Sequence, residues 1–118
     1  YWYLYGEVQR AVRNNDEAIR AYRKAIEANP RYGKPYKWLG VQLLATKQYE
    51  EALSILMTAS GIIATDPDIY FTLGLVYEEI KNYKMAVRGF AQAKKLARRN
   101  TDVYKKAVRA LSRAKRRR

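Results

Sequence analysis

Cysteine and histidine are both absent from the 118 residues. Without cysteine there can be no disulfide, no thiolate metal site and no cysteine nucleophile. Without histidine the chain lacks the commonest general base and the commonest transition-metal ligand. No uninterrupted apolar run reaches the roughly 18 residues that a membrane-spanning helix needs. The opening YWYLYGEVQR has no basic region ahead of its apolar residues, so it does not read as a secretory signal. It has no initiator Met either, and the chain is expected to be a fragment or processed form.

What is present points to one folded domain, 1–118. The length suits a single core, and 48% apolar residues is not a disordered composition. The net charge of +13 is unevenly placed. Residues 1–80 hold nine Lys or Arg against ten acids, whereas residues 81–118 hold fifteen against one, Asp102. Basicity therefore belongs to the C-terminal third.

A spacing of 34 residues runs through the chain. It relates Gly6, Gly40 and Gly74; Ala18, Ala52 and Ala86; and Ala25, Ala59 and Ala93. It also relates Trp2, Tyr36, Tyr70 and Tyr104. Within each period the apolar residues recur at helical intervals, twice, with a break between. The first helix carries Trp2, Tyr5, Val8, Ala11 and Val12. The second, capped by Asn15, carries Ala18, Ala21, Tyr22, Ala25 and Ile26 and stops at Asn29-Pro30. Arg31 to Lys34 form a turn, and Pro35 sits in the first turn of a helix bearing Tyr36, Leu39, Gly40, Leu43 and Leu44. A fourth helix runs from Glu50 to about Ala64, with Ala52, Leu53, Leu56 and Ala59 inward. Thr65-Asp66-Pro67-Asp68 is a strong helix start, and the fifth helix carries Tyr70, Leu73, Gly74 and Tyr77. A sixth carries Ala86, Val87, Phe90 and Ala93. Asn100-Thr101-Asp102 caps a seventh, with Val103, Tyr104, Ala107, Val108 and Leu111 on one face; the terminal KRRR is expected to fray.

These landmarks resemble the tetratricopeptide repeat family. Its pattern of an aromatic, Leu-Gly and Tyr in a first helix, then Ala, aromatic, Ala and Pro in a second, is met over nearly the whole chain. The first repeat shows Trp2, Gly6, Ala18, Tyr22, Ala25 and Pro30. The second shows Tyr36, Leu39, Gly40, Tyr49, Ala52 and Ala59. The third shows Tyr70, Leu73, Gly74, Tyr77, Tyr83, Ala86, Phe90 and Ala93. Departures are Tyr5 for Leu, Leu56 for an aromatic, and Ala64 and Arg98 for the terminal Pro. The resemblance implies an all-α, right-handed α-solenoid of three antiparallel helix hairpins, about 1–32, 33–66 and 67–100. A C-terminal capping helix and basic tail would occupy 101–118. Small residues at Gly6, Gly40 and Gly74 are expected where paired helices cross closely.

The resemblance also implies a concave groove lined by the first helix of each pair. Direction assigns to it Tyr3, Leu4, Glu7 and Arg10; Lys37, Trp38, Val41 and Leu44; and Phe71, Thr72, Leu75, Glu78 and Glu79, with Lys105, Lys106 and Arg109 added by the capping helix. Trp38 and Phe71 are not repeat landmarks. With Val41 and Leu75 they would make an apolar floor rimmed by charge, which marks a partner site unless the cap or upstream residues cover it. Some members of the family grip chaperone C-terminal carboxylates with Lys, Asn and Arg. The matching places are Tyr3, Glu7, Val41, Asp68 and Thr72, none a suitable donor, so such tails are not expected to bind.

The basic patch of Lys105, Lys106, Arg109 and Arg113 has three readings: a solvated face or acidic protein partner, an anionic membrane surface, or nucleic acid. The aromatic opening, with Tyr1 and Tyr3 beyond the repeat pattern, suits either a preceding helix or a membrane headgroup region. Catalysis has little to stand on. Glu50-Glu51 and Glu78-Glu79 are adjacent on helices and diverge by about 100°. No phosphate loop or metal-ligand spacing appears.

The sequence thus predicts a non-enzymatic scaffold or adaptor that binds a peptide or helix of another protein. It predicts no cofactor, metal or small-molecule substrate. The alternative is a basic docking module for an anionic membrane or nucleic acid. Self-association through the open N-terminal end is a further expectation. So is a cytoplasmic location, membrane-associated only through segments outside this chain.

Overall fold

A computed structural model describes residues 1–117, and these form seven α-helices with no strand among them. They are α1 (Trp2–Ala11), α2 (Asn15–Ala28), α3 (Gly33–Ala45), α4 (Tyr49–Ile62), α5 (Pro67–Glu79), α6 (Tyr83–Leu96) and α7 (Asp102–Arg117). The chain divides into two units, one ending at Ile62 and the other beginning at Ile63.

In the first unit α1 pairs with α2, α3 pairs with α4, and α2 packs on α3. In the second, α5 pairs with α6, and α7 lies on α6 and touches α5. Each pair closes through the same device. A Cβ added at Gly6 would sit 2.8 Å from the Tyr22 ring, and one at Gly74 2.6 Å from the Phe90 ring. One at Gly40 would collide with Leu56. The large residue of each pair is fully buried. Tyr22, Leu56 and Phe90 fill the space inside each pair, over the glycine. The α5–α6 crossing is tighter still, since a Cβ at Gly89 would meet the backbone of Gly74 at 2.9 Å.

The first helix of each pair ends without glycine. Arg13, Lys47 and Lys81, again 34 apart, adopt φ of 63°, 63° and 65°. The following N–H then reaches back five residues: Asn14 to Gln9, Gln48 to Leu43, and Asn82 to Tyr77. This is the bond pattern of a left-handed helix cap, and it satisfies carbonyls the helix end would leave bare. Asn14 and Asn82 accept from Glu17 N–H and Met85 N–H, so Asn14 is the cap of α2 and Asn15 its first residue. Asp66 caps α5 by accepting from Asp68 N–H, with Pro67 at the first position. Tyr36 donates to the Pro30 carbonyl at 2.8 Å, and Tyr70 to that of Ala64 at 3.2 Å. That second bond survives the loss of Pro because it uses only a backbone oxygen.

Three other expectations change. Gly33 opens α3 rather than lying in a turn. Lys115, Arg116 and Arg117 continue α7 rather than fraying, while Arg118 lies outside the described residues. Third, the apolar stripe of α1 is not buried. Val8 and Val12 are exposed, and Gly6 alone in that helix is buried. Within this unit α2 covers only the Gly6 side of α1.

Candidate functional site

Two polar constellations arise where the repeat pattern departs from itself. The first lies in the unit formed by α1–α4. The Tyr22 hydroxyl donates to Glu7 Oε1 at 2.5 Å. Arg10 donates through Nη2 to both Glu7 oxygens at 3.0 Å and through Nε to the Tyr22 hydroxyl at 3.1 Å. Its guanidinium carbon lies over the Trp38 ring, 3.8 Å from the centroid, and the Lys37 ammonium is 5.1 Å from the same centroid. Both contacts are cation–π in kind. Trp38 donates to the Tyr3 hydroxyl, and the Tyr3 ring packs 6.0 Å from Tyr22 and 5.5 Å from Tyr32.

Electrostatics follow from this geometry. Burial, then the hydrogen bond to Glu7, pushes the Tyr22 phenol far above its ordinary value, so it stays a donor. Burial and the Glu7 charge raise Tyr3 as well. Burial alone would weaken the Arg10 charge, but its bonds to Tyr22 and Glu7 outweigh that and hold its pKa above the usual value. Arg10 Nη1 makes no hydrogen bond to any of the described residues, so it can donate to a carbonyl or carboxylate from outside.

The second constellation lies in the unit formed by α5–α7. Arg113 Nε and Nη2 donate to the two oxygens of Glu78, both at 2.6 Å. Arg117 donates to the Tyr83 hydroxyl at 3.4 Å. These residues, with Glu79 and Lys81, border a cleft of about 300 Å³. Phe71 packs 5.6 Å from Phe90.

The expected groove residues are therefore unequal. Tyr3, Glu7, Arg10, Lys37 and Trp38 are brought together. Val41 and Leu44 are half-buried on the same helix as Trp38, and Leu75 is half-buried on α5. Leu4 is not with them. It is 68% exposed and follows the outward stripe of Tyr1, Val8 and Val12. Thr72 is corrected, because it is buried and its hydroxyl donates to the Asp68 carbonyl at 2.8 Å. Phe71 is partly a packing residue, through Phe90. Glu78 is taken up by Arg113, and Arg113 is accordingly not a free member of the basic patch. Glu79, Lys105, Lys106 and Arg109 are exposed. The residue missed by sequence reasoning is Tyr22, read only as packing. Its signal was in register: Tyr22, Leu56 and Phe90 share one position, and Glu7, Val41 and Leu75 another. Only the first repeat is polar at both.

Among the described residues no group of three acids could hold a metal, and no helix is long and apolar enough to cross a membrane.

Hairpins repeating at 34 residues, each closed by a small residue under a large one, define an all-α helical-repeat solenoid, a class of protein-interaction module. The chain belongs to the tetratricopeptide repeat family, whose profiles match residues 10–70 and 67–100. It is similar to anaphase-promoting complex subunit 6 of Arabidopsis thaliana, with 35% identity over 86 residues, 73% of this chain and 16% of that protein. Protein bimA of Emericella nidulans is 21% identical over 95 residues, 80% of this chain and 12% of that protein. The chain thus spans under a fifth of either relative. Among solved structures, PcrH in complex with the chaperone-binding region of PopD has a TM-score of 0.93 at 18% identity, covering 98% of this chain and 90% of that one. The TPR2B domain of yeast Sti1 in complex with an Hsp70 peptide has 0.91 at 17%, covering 98% and 94%. At these identities the likeness is one of fold.

Proposed function

We propose that the chain is a non-catalytic adaptor that holds a peptide or helix of a partner protein against its first helices. The anchor on the first unit is the face built by Tyr3, Lys37, Trp38 and Val41, with Arg10 as donor. Phe71, Leu75 and Glu79 form the corresponding face of α5. One observation carries the reading. A tryptophan is fixed by a guanidinium and a phenol, while Arg10 keeps unoccupied donors beside it. A rigid aromatic with an adjacent directional donor is what concentrates binding energy at interfaces. That PcrH and the Sti1 domain each hold a segment of another protein supports the class of ligand, not its identity.

The test is a peptide selected by display against the whole chain, then titrated with variants. Trp38→Ala should weaken it by about thirtyfold, equivalent to about 2 kcal/mol, which is hot-spot scale. Thr58→Lys, exposed on α4, should change nothing. Equal affinity of wild type and Trp38→Ala, with helical content and melting unchanged, would overturn the assignment. Because Tyr3, Glu7, Val41, Asp68 and Thr72 offer no cationic or amide side chain, no clamp for a C-terminal carboxylate forms, and a peptide should gain from its free carboxylate no more than a bond to Arg10 supplies.

A further inference from the structure

The two sides of α7 carry basic residues of different standing. Arg113 is bound to Glu78, and in its cleft Glu78 and Glu79 offset most of the charge of Lys81, Arg113 and Arg117. Tyr104 lies nine residues from Arg113, half a turn round the helix at about 100° per residue. On that side α6 and α7 bound two adjoining clefts. One, of about 410 Å³, is lined by Lys94, Lys95 and Arg99 over Ala91, Ala97 and Leu111. The other, of about 230 Å³, is lined by Lys105, Arg109 and Arg99 over Val108. Arg99 and Tyr104 belong to both.

Among the described residues no acidic side chain lines either cleft. None of the five cations is in an ion pair among the described residues. Five like charges this close repel one another and gain from an anionic occupant. The apolar floors narrow the choice of anion. Leu111 is almost wholly buried and Tyr104 half-buried, so the floors can take side chains but offer no open ring for base stacking. A bilayer is flat and would meet the rim cations without filling the recesses.

From this complementarity we infer that the Tyr104 clefts of α6 and α7 bind an acidic peptide segment whose apolar side chains alternate with Asp or Glu. This site is separate from the Trp38 face and does not depend on it. Carboxylates pair with Lys94, Lys95, Arg99, Lys105 and Arg109, and the apolar side chains enter on either side of Tyr104.

A fluorescein-labelled peptide of four Glu-Glu-Leu repeats, titrated into the full chain by anisotropy, provides the test. It should bind at least about tenfold more tightly than the same peptide with Gln for Glu, or with Ser for Leu, since each loses one of the two contact types. Lys95→Glu with Arg99→Glu should weaken it by about tenfold or more, and Lys84→Glu with Arg116→Glu, of equal charge but outside the clefts, by less than about threefold. Trp38→Ala should leave it unchanged, which separates this site from the proposed adaptor face. The inference fails if the peptide does not bind, if the Ser version binds as well, or if the two charge reversals act equally. It fails too if single-stranded oligothymidine, or vesicles with one-fifth phosphatidylserine, bind more tightly than the peptide and lose binding on the Lys95/Arg99 reversal. Circular dichroism melting checks that each variant stays folded.

Discussion

The first and third hairpins solve one packing problem with opposite chemistry. In both, a ring on the second helix covers a glycine on the first, and a second ring leans on it: Tyr3 on Tyr22, and Phe71 on Phe90. In the first hairpin the covering ring has a hydroxyl, which finds Glu7 and Arg10. In the third the positions of Tyr22 and Glu7 are filled by Phe90 and Leu75. The joint itself needs only volume over the glycine. Polarity can be added where a complete set of partners comes with it, and the added set is what places a charged side chain on Trp38.

The comparison breaks hardest if the two chemistries are crossed. Phe90→Tyr puts a hydroxyl into a fully buried position with Leu75 where Glu7 would be, and should cost about 2–3 kcal/mol in chemical denaturation. Tyr22→Phe is milder, because Glu7 and Arg10 still hold each other. A loss of about 1–2 kcal/mol is expected. The same variant has a pH signature. The folded phenol of Tyr22 titrates well above the value of about 10 that it has when unfolded. Above pH 10 the unfolded chain therefore releases a proton that the folded chain keeps, and stability falls as pH rises. Wild type should lose stability more steeply than Tyr22→Phe above pH 10. Parallel slopes would mean that Tyr22 is not protected as described. The smallest effect sharpens the common framework. Lys81→Gly relieves a side chain held at positive φ and should raise stability by about 0.5–1 kcal/mol in melting experiments.

Much of the fold was legible, because helix pairs are written as periodicity. The spacing of Gly6, Gly40 and Gly74 located all three crossings, and Asp66-Pro67 located the start of α5 within a residue. What the pattern could not convey is which side chains meet. Glu7 reaches Tyr22 across 15 positions and Arg113 reaches Glu78 across 35, and neither distance follows from a hydrophobic stripe. The same gap explains why Arg113 read as free charge and Thr72 as a lining residue. The sequence placed the cap of α2 at Asn15, one residue late, because its neighbour Asn14 is of the same type; the bond from Glu17 N–H decides for Asn14. Gly89 was passed over because its equivalents, Ile55 and Ala21, are not glycine, so no repetition marked it.

The closeness of Arg10 to Trp38 also makes the molecule its own reporter. An indole's emission responds to the field around its ring, and here a cation sits 3.8 Å from it. A ligand that draws Arg10 away, or closes the ring off from water, must change the colour or yield of that emission. The chain has two tryptophans, so Trp2→Phe leaves Trp38 as the sole source. Occupancy of the adaptor face can then be followed by intrinsic fluorescence without a label, whereas the Tyr104 clefts, far from tryptophan in sequence and on a different unit, would need their own dye.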